Sequence, residues 1–437
     1  MKITKYLSTS IAALAVAASA HADTVIHITG STAFRSATIA AIKNVLGASV
    51  KTSYAGTSGG ASAATYVVLQ GTVASLPAAG TVTVKCTWTG STGGIKSVVQ
   101  NIDITQTTAP NGWMSITNLT GAAGAEVAVA SPSYSLDNGT FPSETLKPDV
   151  TMEDSLQSST GFISTTLAET QVGVIPFEWV ANNGSPAGLN NITPLLAQAL
   201  LSGGMPLSQF TCNPADAVAV YAMGRDFDSG TRLSCLAETG VGVFGSVQHI
   251  QPTVSGTAGA SGSSITALKL WPAQTVLGQP FAIGQSGFAG GGALADNLAT
   301  PGSSTAATPG GADGVGFGPG WLVGYLGRND ASRACKTTSI ATNTAHRMKW
   351  NGISDWNEPI LANGNPTTYN DAAIQEGCYS LWEYEWLAYR STYAGNGKAV
   401  ADKIANEIIN TTASTAGLKL STMNVSKPVE GGLITHL

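Results

Sequence analysis

Charge is scarce in this chain. Lys and Arg together number 21 and Asp and Glu 26, so 11% of the 437 residues are charged, against roughly 25% in an ordinary globular protein. The surplus is acidic, with a formal net charge of −5. Nucleic acid and anionic membrane surfaces are therefore excluded as partners, since both demand basic patches. Cysteine is also sparse, at five residues, and so is histidine, also at five. No CxxC and no HExxH occurs, so no metal site or metal cofactor is expected. Apart from the N-terminal segment, no run approaches the roughly 18 apolar residues of a membrane-spanning helix. A membrane-embedded chain is not expected.

What is present argues for a folded protein. Hydrophobic residues make up 43% and Trp occurs nine times, whereas disordered chains pair low hydrophobicity with high net charge. Length alone predicts two or three domains or lobes. At the N-terminus, Lys2 and Lys5 precede a short apolar stretch, Ile11 to Ala20, and then Ala20-His21-Ala22. This is the pattern of a secretory signal peptide, residues 1–22, cleaved after Ala22. The expected location is periplasmic or extracellular, where disulfides are permitted. Cys212 with Cys235 and Cys335 with Cys378 are candidate pairs that leave Cys86 over, although spacing does not fix connectivity.

Along the chain, strand-like and helix-like patterns alternate, which predicts an α/β architecture. Thr24 to Thr29 reads as a strand, Ala37 to Leu46 as a helix, and Gly173 to Ala181 as a buried strand. Residues 50–84 look like a hairpin insertion with strands at Tyr66 and Thr81. Ile192 to Leu201 reads as a helix stopped by Gly203-Gly204. Residues 254–263 and 282–320 are Gly/Ser/Ala/Thr-rich and are expected to be loops, and Lys398 to Asn410 is a last helix.

The string richest in chemistry is Arg225-Asp-Phe-Asp-Ser229-Gly230-Thr231-Arg232, placed after the apolar run Ala217 to Met223 and opening a helix. A helix N-terminus offers free N–H donors and partial positive charge to an anion. Glycine allows close approach, Ser and Thr add hydroxyl donors, and Arg225 supplies a guanidinium fork. An ordinary capped helix with a surface Arg would read the same way if the string stood alone.

It does not stand alone. Arg-x-x-x-Ser-Gly-Thr resembles the central motif of the periplasmic phosphate-binding proteins that serve ABC phosphate importers. Upstream, Gly30-Ser31-Thr32-Ala33-Phe34 resembles their first anion loop and Gly90-Ser91-Thr92-Gly93-Gly94-Ile95-Lys96 their second. Asp149-Val-Thr-Met-Glu-Asp154 is similar to the third. Downstream, Gly320 to Tyr325 resembles a further strand of the family, and the aromatic run from Tyr379 the segment that returns to the first lobe. The resemblance implies a type II periplasmic-binding-protein fold, two α/β lobes joined by a two-strand hinge with the ligand cleft between them. Lobe I would comprise 23–176 and 380–437, and lobe II 177–379. It implies inorganic phosphate as ligand, an ABC permease as partner, a monomer, and binding without catalysis, so no enzyme.

Carried over position by position, the implied phosphate-binding residues are Thr32, Ala33, Ser91, Asp154, Arg225, Ser229, Gly230 and Thr231. Asp154 would accept a hydrogen bond from a protonated phosphate oxygen, which fully deprotonated sulfate lacks. Glu153 with Asp226 or Asp228 reads either as an acid/base pair or as solvated or ion-paired loop acids, the latter being favoured. Asp228 is expected to orient Arg225 or cap the helix, and Arg232 either to reach the ligand or, as favoured, to pair with an acid. The chain's length and acidic additions depart from the family pattern, so a cell-surface or extracellular structural or adhesion protein that retains the fold is the alternative. Two further patterns are set aside. Gly56 to Gly60 fits GxSxG but precedes a strand rather than a helix. Gly240 to Gly245 fits GxGxxG but follows a helix.

Overall fold

The computed structural model describes residues 23–56, 59–104, 112–134, 147–276, 279–302, 317, 320–335, 345–358 and 365–437. The expected signal peptide lies outside these residues, as do Thr57 and Ser58 of the GxSxG string and much of the stretch after 302.

The first elements are β1 (Thr24–Gly30), α1 (Arg35–Leu46), β2 (Lys51–Ala55), β3 (Tyr66–Thr72), β4 (Thr81–Thr87), α2 (Ser91–Gln100), β5 (Glu126–Ala128) and β6 (Val150–Glu153). β1 lies between β4 and β6 and is parallel to both. Both faces of β1 are covered, so His27 and Thr29 are buried as well as the alternating Ile26 and Ile28. β2, β3 and β4 form an antiparallel meander in line with this sheet. Residues 50–84 are thus an extension of the central sheet, held in register with β1 by β4.

A 15-residue strand, β7 (Leu167–Ala181), then leads into β8 (Asn191–Ile192), α3 (Pro194–Leu201), β9 (Met205–Pro206), α4 (Ser208–Thr211), β10 (Ala219–Met223) and α5 (Gly230–Glu238). The hairpins β11 (Ile250–Ser255) with β12 (Ser264–Leu270), and β13 (Gln274–Val276) with β14 (Gln279–Phe281), follow. Next come α6 (Gly291–Ala299), β15 (Gly320–Gly327), α7 (Arg328–Ala334), β16 (His346–Trp350), α8 (Asp371–Gln375), β17 (Trp382–Arg390) and α9 (Gly395–Glu407). β10 runs parallel to β15.

β7 joins the two halves of the sheet. Its first part pairs with β17, from Leu167 opposite Arg390 to Pro176 opposite Trp382. Its last five residues, Phe177 to Ala181, pair with β15. Pro176, which has no N–H to give to a ladder, stands where the partner changes. β17 pairs on its other side with β6, so β7 and β17 are the two strands by which the chain leaves one half and returns. The chain is thus a mixed α/β protein built on a large central sheet. No helix among the described residues is long and apolar enough to cross a membrane.

Two expectations are corrected. All five cysteines are free: Cys86, Cys235 and Cys335 are buried and Cys212 and Cys378 are exposed. Neither candidate pair is formed, and each would join a buried side chain to an exposed one. The stretch 282–320 also contains a helix, α6, rather than loop alone. Its composition is loop-like, but Leu294, Ala295 and Leu298 fall on one face and are buried, and that burial overrides the glycines at its start.

Candidate functional site

The candidate groups all follow the carboxyl ends of parallel strands. Thr32 and Ala33 come after β1, Ser91 after β4, Asp154 after β6, and Arg225 and Ser229 to Thr231 after β10. In open α/β sheets this is the edge on which ligands bind, because helix N-termini and strand-end loops converge there. Every one of these residues is buried.

Asp154 is the meeting point. Its carboxylate accepts from the hydroxyl of Ser91 and, at 3.0 Å, from Thr231 Oγ1. Its amide donates to Ser91 Oγ at 3.1 Å, and its carbonyl accepts from Ser234 Oγ at 2.9 Å. The first and second halves of the molecule are therefore joined through one carboxylate. Burial pushes this carboxyl above its ordinary range, opposed by the Ser91 and Thr231 hydroxyls and by the Arg225 charge. Gly230 is required here: a Cβ on it would stand 1.8 Å from Asp154 Oδ1 and 2.7 Å from Ser91 Cβ.

Two helices aim their N-termini at this point. Ser229 caps α5, its Oγ accepting from the Arg232 amide at 3.2 Å. The amides of Gly230 and Thr231 have no protein acceptor among the described residues, as expected for the first turn of a helix. The amides of Ser91 and Thr92, opening α2, are likewise without one, and so are those of Thr32 and Ala33 ahead of α1.

Arg225 is 2% exposed. Its Nε donates to the Phe288 carbonyl at 3.0 Å, and one terminal nitrogen donates to the Ala289 carbonyl at 2.9 Å and to Thr32 Oγ1 at 3.4 Å. Among the described residues no carboxylate lies within ion-pairing distance of it. The backbone of Arg225 is fixed by Tyr325 and Arg232, a role the motifs did not foresee for either. Its amide donates to the Tyr325 hydroxyl at 3.3 Å, and its carbonyl accepts from Arg232 at 2.9 Å. His249 packs against both: burial and the Arg232 charge push its imidazole down to about 3. Its Nδ1 lies 3.0 Å from the Ser286 carbonyl, the contact of a neutral ring donating from that nitrogen.

The neighbouring acids differ from expectation. Asp228 does not orient Arg225. It accepts from Lys96 Nζ at 2.7 Å, and its carbonyl accepts from the Gly93 amide at 3.0 Å, so it ties α2 to the loop before α5. Gly90, at φ +91°, lets these backbones approach, since a Cβ there would lie 2.3 Å from the Asp228 carbonyl oxygen. Arg232 has no direct ion pair among the described residues, though the Asp226 charge acts on it; it stacks on Phe227, 4.6 Å from the ring centre. Both carboxylate oxygens of Glu153 are buried with no hydrogen-bond partner among the described residues. Burial, Glu169 and Asp154 push that carboxyl well up. Glu153 and Asp226 thus do not form an acid/base pair. Among the described residues no group of three His, Cys, Asp or Glu side chains is arranged to hold a metal ion.

The loop carbonyls of Phe288 and Ala289 and the N-terminus of α6 beside Arg225 were not foreseen. The Gly290-Gly291-Gly292 run was the available signal, but it is equally the signature of a loop.

No protein-family model matches the chain, and no curated protein matches it. Solved structures that it resembles include an ABC-type phosphate transport receptor from Vibrio cholerae. That match has 10% identity and a TM-score of 0.43, and covers 90% of this chain and 99% of the receptor. A phosphate-binding protein from Stenotrophomonas maltophilia matches at 13% identity and a TM-score of 0.36, covering 87% of this chain and 82% of the other. With likeness this distant, the functional reading has to stand on this chain's own residues.

Proposed function

We propose that the site binds a protonated tetrahedral oxyanion, inorganic phosphate, without covalent chemistry. The observation that carries this reading is Arg225: a buried guanidinium with no ion-pair partner among the described residues, facing helix N-termini that have unused amides. Asp154, Asp226 and Asp330 act on this guanidinium without direct ion-pair contact, and a bound anion would supply the direct partner that a buried charge favours. Phosphate would take its place among Thr32, Ala33, Ser91, Arg225, Ser229, Gly230 and Thr231, with the Ser91 and Thr231 hydroxyls turning from Asp154 to the anion. Asp154 would then accept the ligand's own proton. Sulfate has no proton to give and would leave that carboxylate facing a second anion. Each unpaired buried donor or acceptor costs about 1–3 kcal/mol, while a micromolar site needs only about 8 kcal/mol in all.

In the wider reading the chain is a secreted receptor of an ABC phosphate importer. Lobe I (23–176 and 380–437) and lobe II (177–379) would close on the ligand, and binding rather than catalysis would be its task. Titration calorimetry with phosphate, arsenate, sulfate and molybdate tests the site. Phosphate is expected to bind and sulfate to fail, and Arg225→Ala to lose phosphate. An absent phosphate response, or an Arg225→Ala variant that binds like wild type, would overturn the reading. Capture of a permease by the phosphate-loaded chain tests the transport role.

A further inference from the structure

A cavity of about 650 Å³ opens beside the Thr32 end of this site. That volume is in the range of about 300–1,000 Å³ that takes organic ligands, far larger than an orthophosphate requires. Thr32 belongs to both spaces: its Oγ1 accepts from Arg225 at 3.4 Å, and it also lines the cavity. An oxyanion held at Thr32 and Arg225 therefore has one face turned to that space.

The lining is chemically specific. Tyr66 and Trp88 contribute from the first half of the molecule, and Trp271 and Phe288 from the second. Trp271 and Phe288 are set edge to face, with ring centres 5.0 Å apart. Such walls favour a planar, polarisable group. Two arginines face the same cavity. Arg333 is clamped by Asp296 through two hydrogen bonds of 2.7 and 2.6 Å. Arg35 is half-buried; the Asp330 charge acts on it, but it makes no hydrogen bond or direct ion pair among the described residues. A guanidinium held at a cavity wall with its donors unused is a group made to meet ligand oxygen.

We propose that the site also takes phosphate monoesters of nucleotide size, with the phosphate at Thr32 and Arg225 and a planar ring between the aromatic walls of the adjoining cavity. This rests on the oxyanion reading above. A monoester monoanion keeps one ionisable hydroxyl for Asp154, so the ester oxygen is free to point toward Arg35.

The test is calorimetry with three probes: orthophosphate, ribose 5-phosphate and adenosine 5′-monophosphate. Adenosine 5′-monophosphate is expected to bind at least tenfold more tightly than ribose 5-phosphate. Trp271→Ala is expected to remove that difference while orthophosphate binding, which also reports that the variant is folded, persists. Orthophosphate binding with adenosine 5′-monophosphate excluded, or no tighter than ribose 5-phosphate, overturns this proposal and leaves the oxyanion reading standing. An undiminished ring preference in Trp271→Ala overturns the proposed seat of the ring. If none of the three binds, the oxyanion reading fails and this proposal falls with it.

Discussion

The Ser91 hydroxyl donates to the Asp154 carboxylate and accepts from the Asp154 amide, so one side chain at the start of α2 bonds twice to the residue that follows β6. Thr231, from the other half of the sheet, bonds to the same carboxylate. Asp154 is thereby fixed on two sides before any ligand oxygen meets it. Asp154→Asn replaces an acceptor with a group that also donates. Phosphate affinity is expected to fall tenfold or more and sulfate affinity to rise, since about 1.4 kcal/mol corresponds to each factor of ten. Calorimetry with both anions reads this, and an unchanged phosphate-to-sulfate ratio would remove Asp154 from the selectivity argument.

Gly230→Ala is the sharpest steric probe. The new methyl would overlap Asp154 Oδ1 and crowd Ser91, so α5 or Asp154 must shift. Loss of phosphate binding by at least a hundredfold is expected, with the far-ultraviolet circular dichroism of a folded chain retained.

Lys96 and Asp228 form an ion pair between α2 and the loop ahead of α5, with Lys96 nearly inaccessible. Removing one partner of a buried pair strands the other. Lys96→Met is expected to weaken phosphate binding by more than tenfold. Small-angle scattering should report a larger radius of gyration for the ligand-free variant than for wild type. Equal radii would show that the pair does not hold the halves together.

Buried Glu153 makes stability depend on pH with a definite sign. Burial, and then the charges of Glu169, Asp154 and Glu430, raise its carboxyl well above its ordinary value of 4.5. The folded protein therefore holds a proton that the unfolded chain releases. This contribution is fully present below pH 4.5 and declines as pH rises, by about 1.4 kcal/mol per unit, until Glu153 itself ionises. The melting temperature of Glu153→Gln should fall less steeply than that of wild type between pH 5 and 8. Parallel slopes would refute the assignment.

The thiols offer a direct chemical count. In native buffer a thiol reagent should titrate Cys212 and Cys378 and leave Cys86, Cys235 and Cys335 unreacted, because the last three are buried. All five should react in denaturant. Fewer than five there would indicate a disulfide.

What the sequence determined by itself was local. Strand–loop–helix order and short runs of Gly, Ser and Thr fix where helix N-termini begin, because capping and first-turn donors depend on a few adjacent residues. Ser229, Gly230 and Thr231 were legible for that reason, and the α/β alternation followed from apolar periodicity. The resemblance, rather than composition, picked out Thr32, Ser91 and Asp154 as one set. Only the tertiary structure decided who meets whom. It gave Asp228 to Lys96 rather than to Arg225, left Glu153 without a hydrogen-bond partner among the described residues, left the five thiols free, and turned a glycine-rich stretch into α6 beside Arg225. Each of these rests on contacts between residues far apart in sequence, where burial and packing override local preference. The scarcity of charge has a physical counterpart in the proposed site: a buried Arg225 with no direct ion pair among the described residues and a handful of unused amides would hold an anion without raising the charge count.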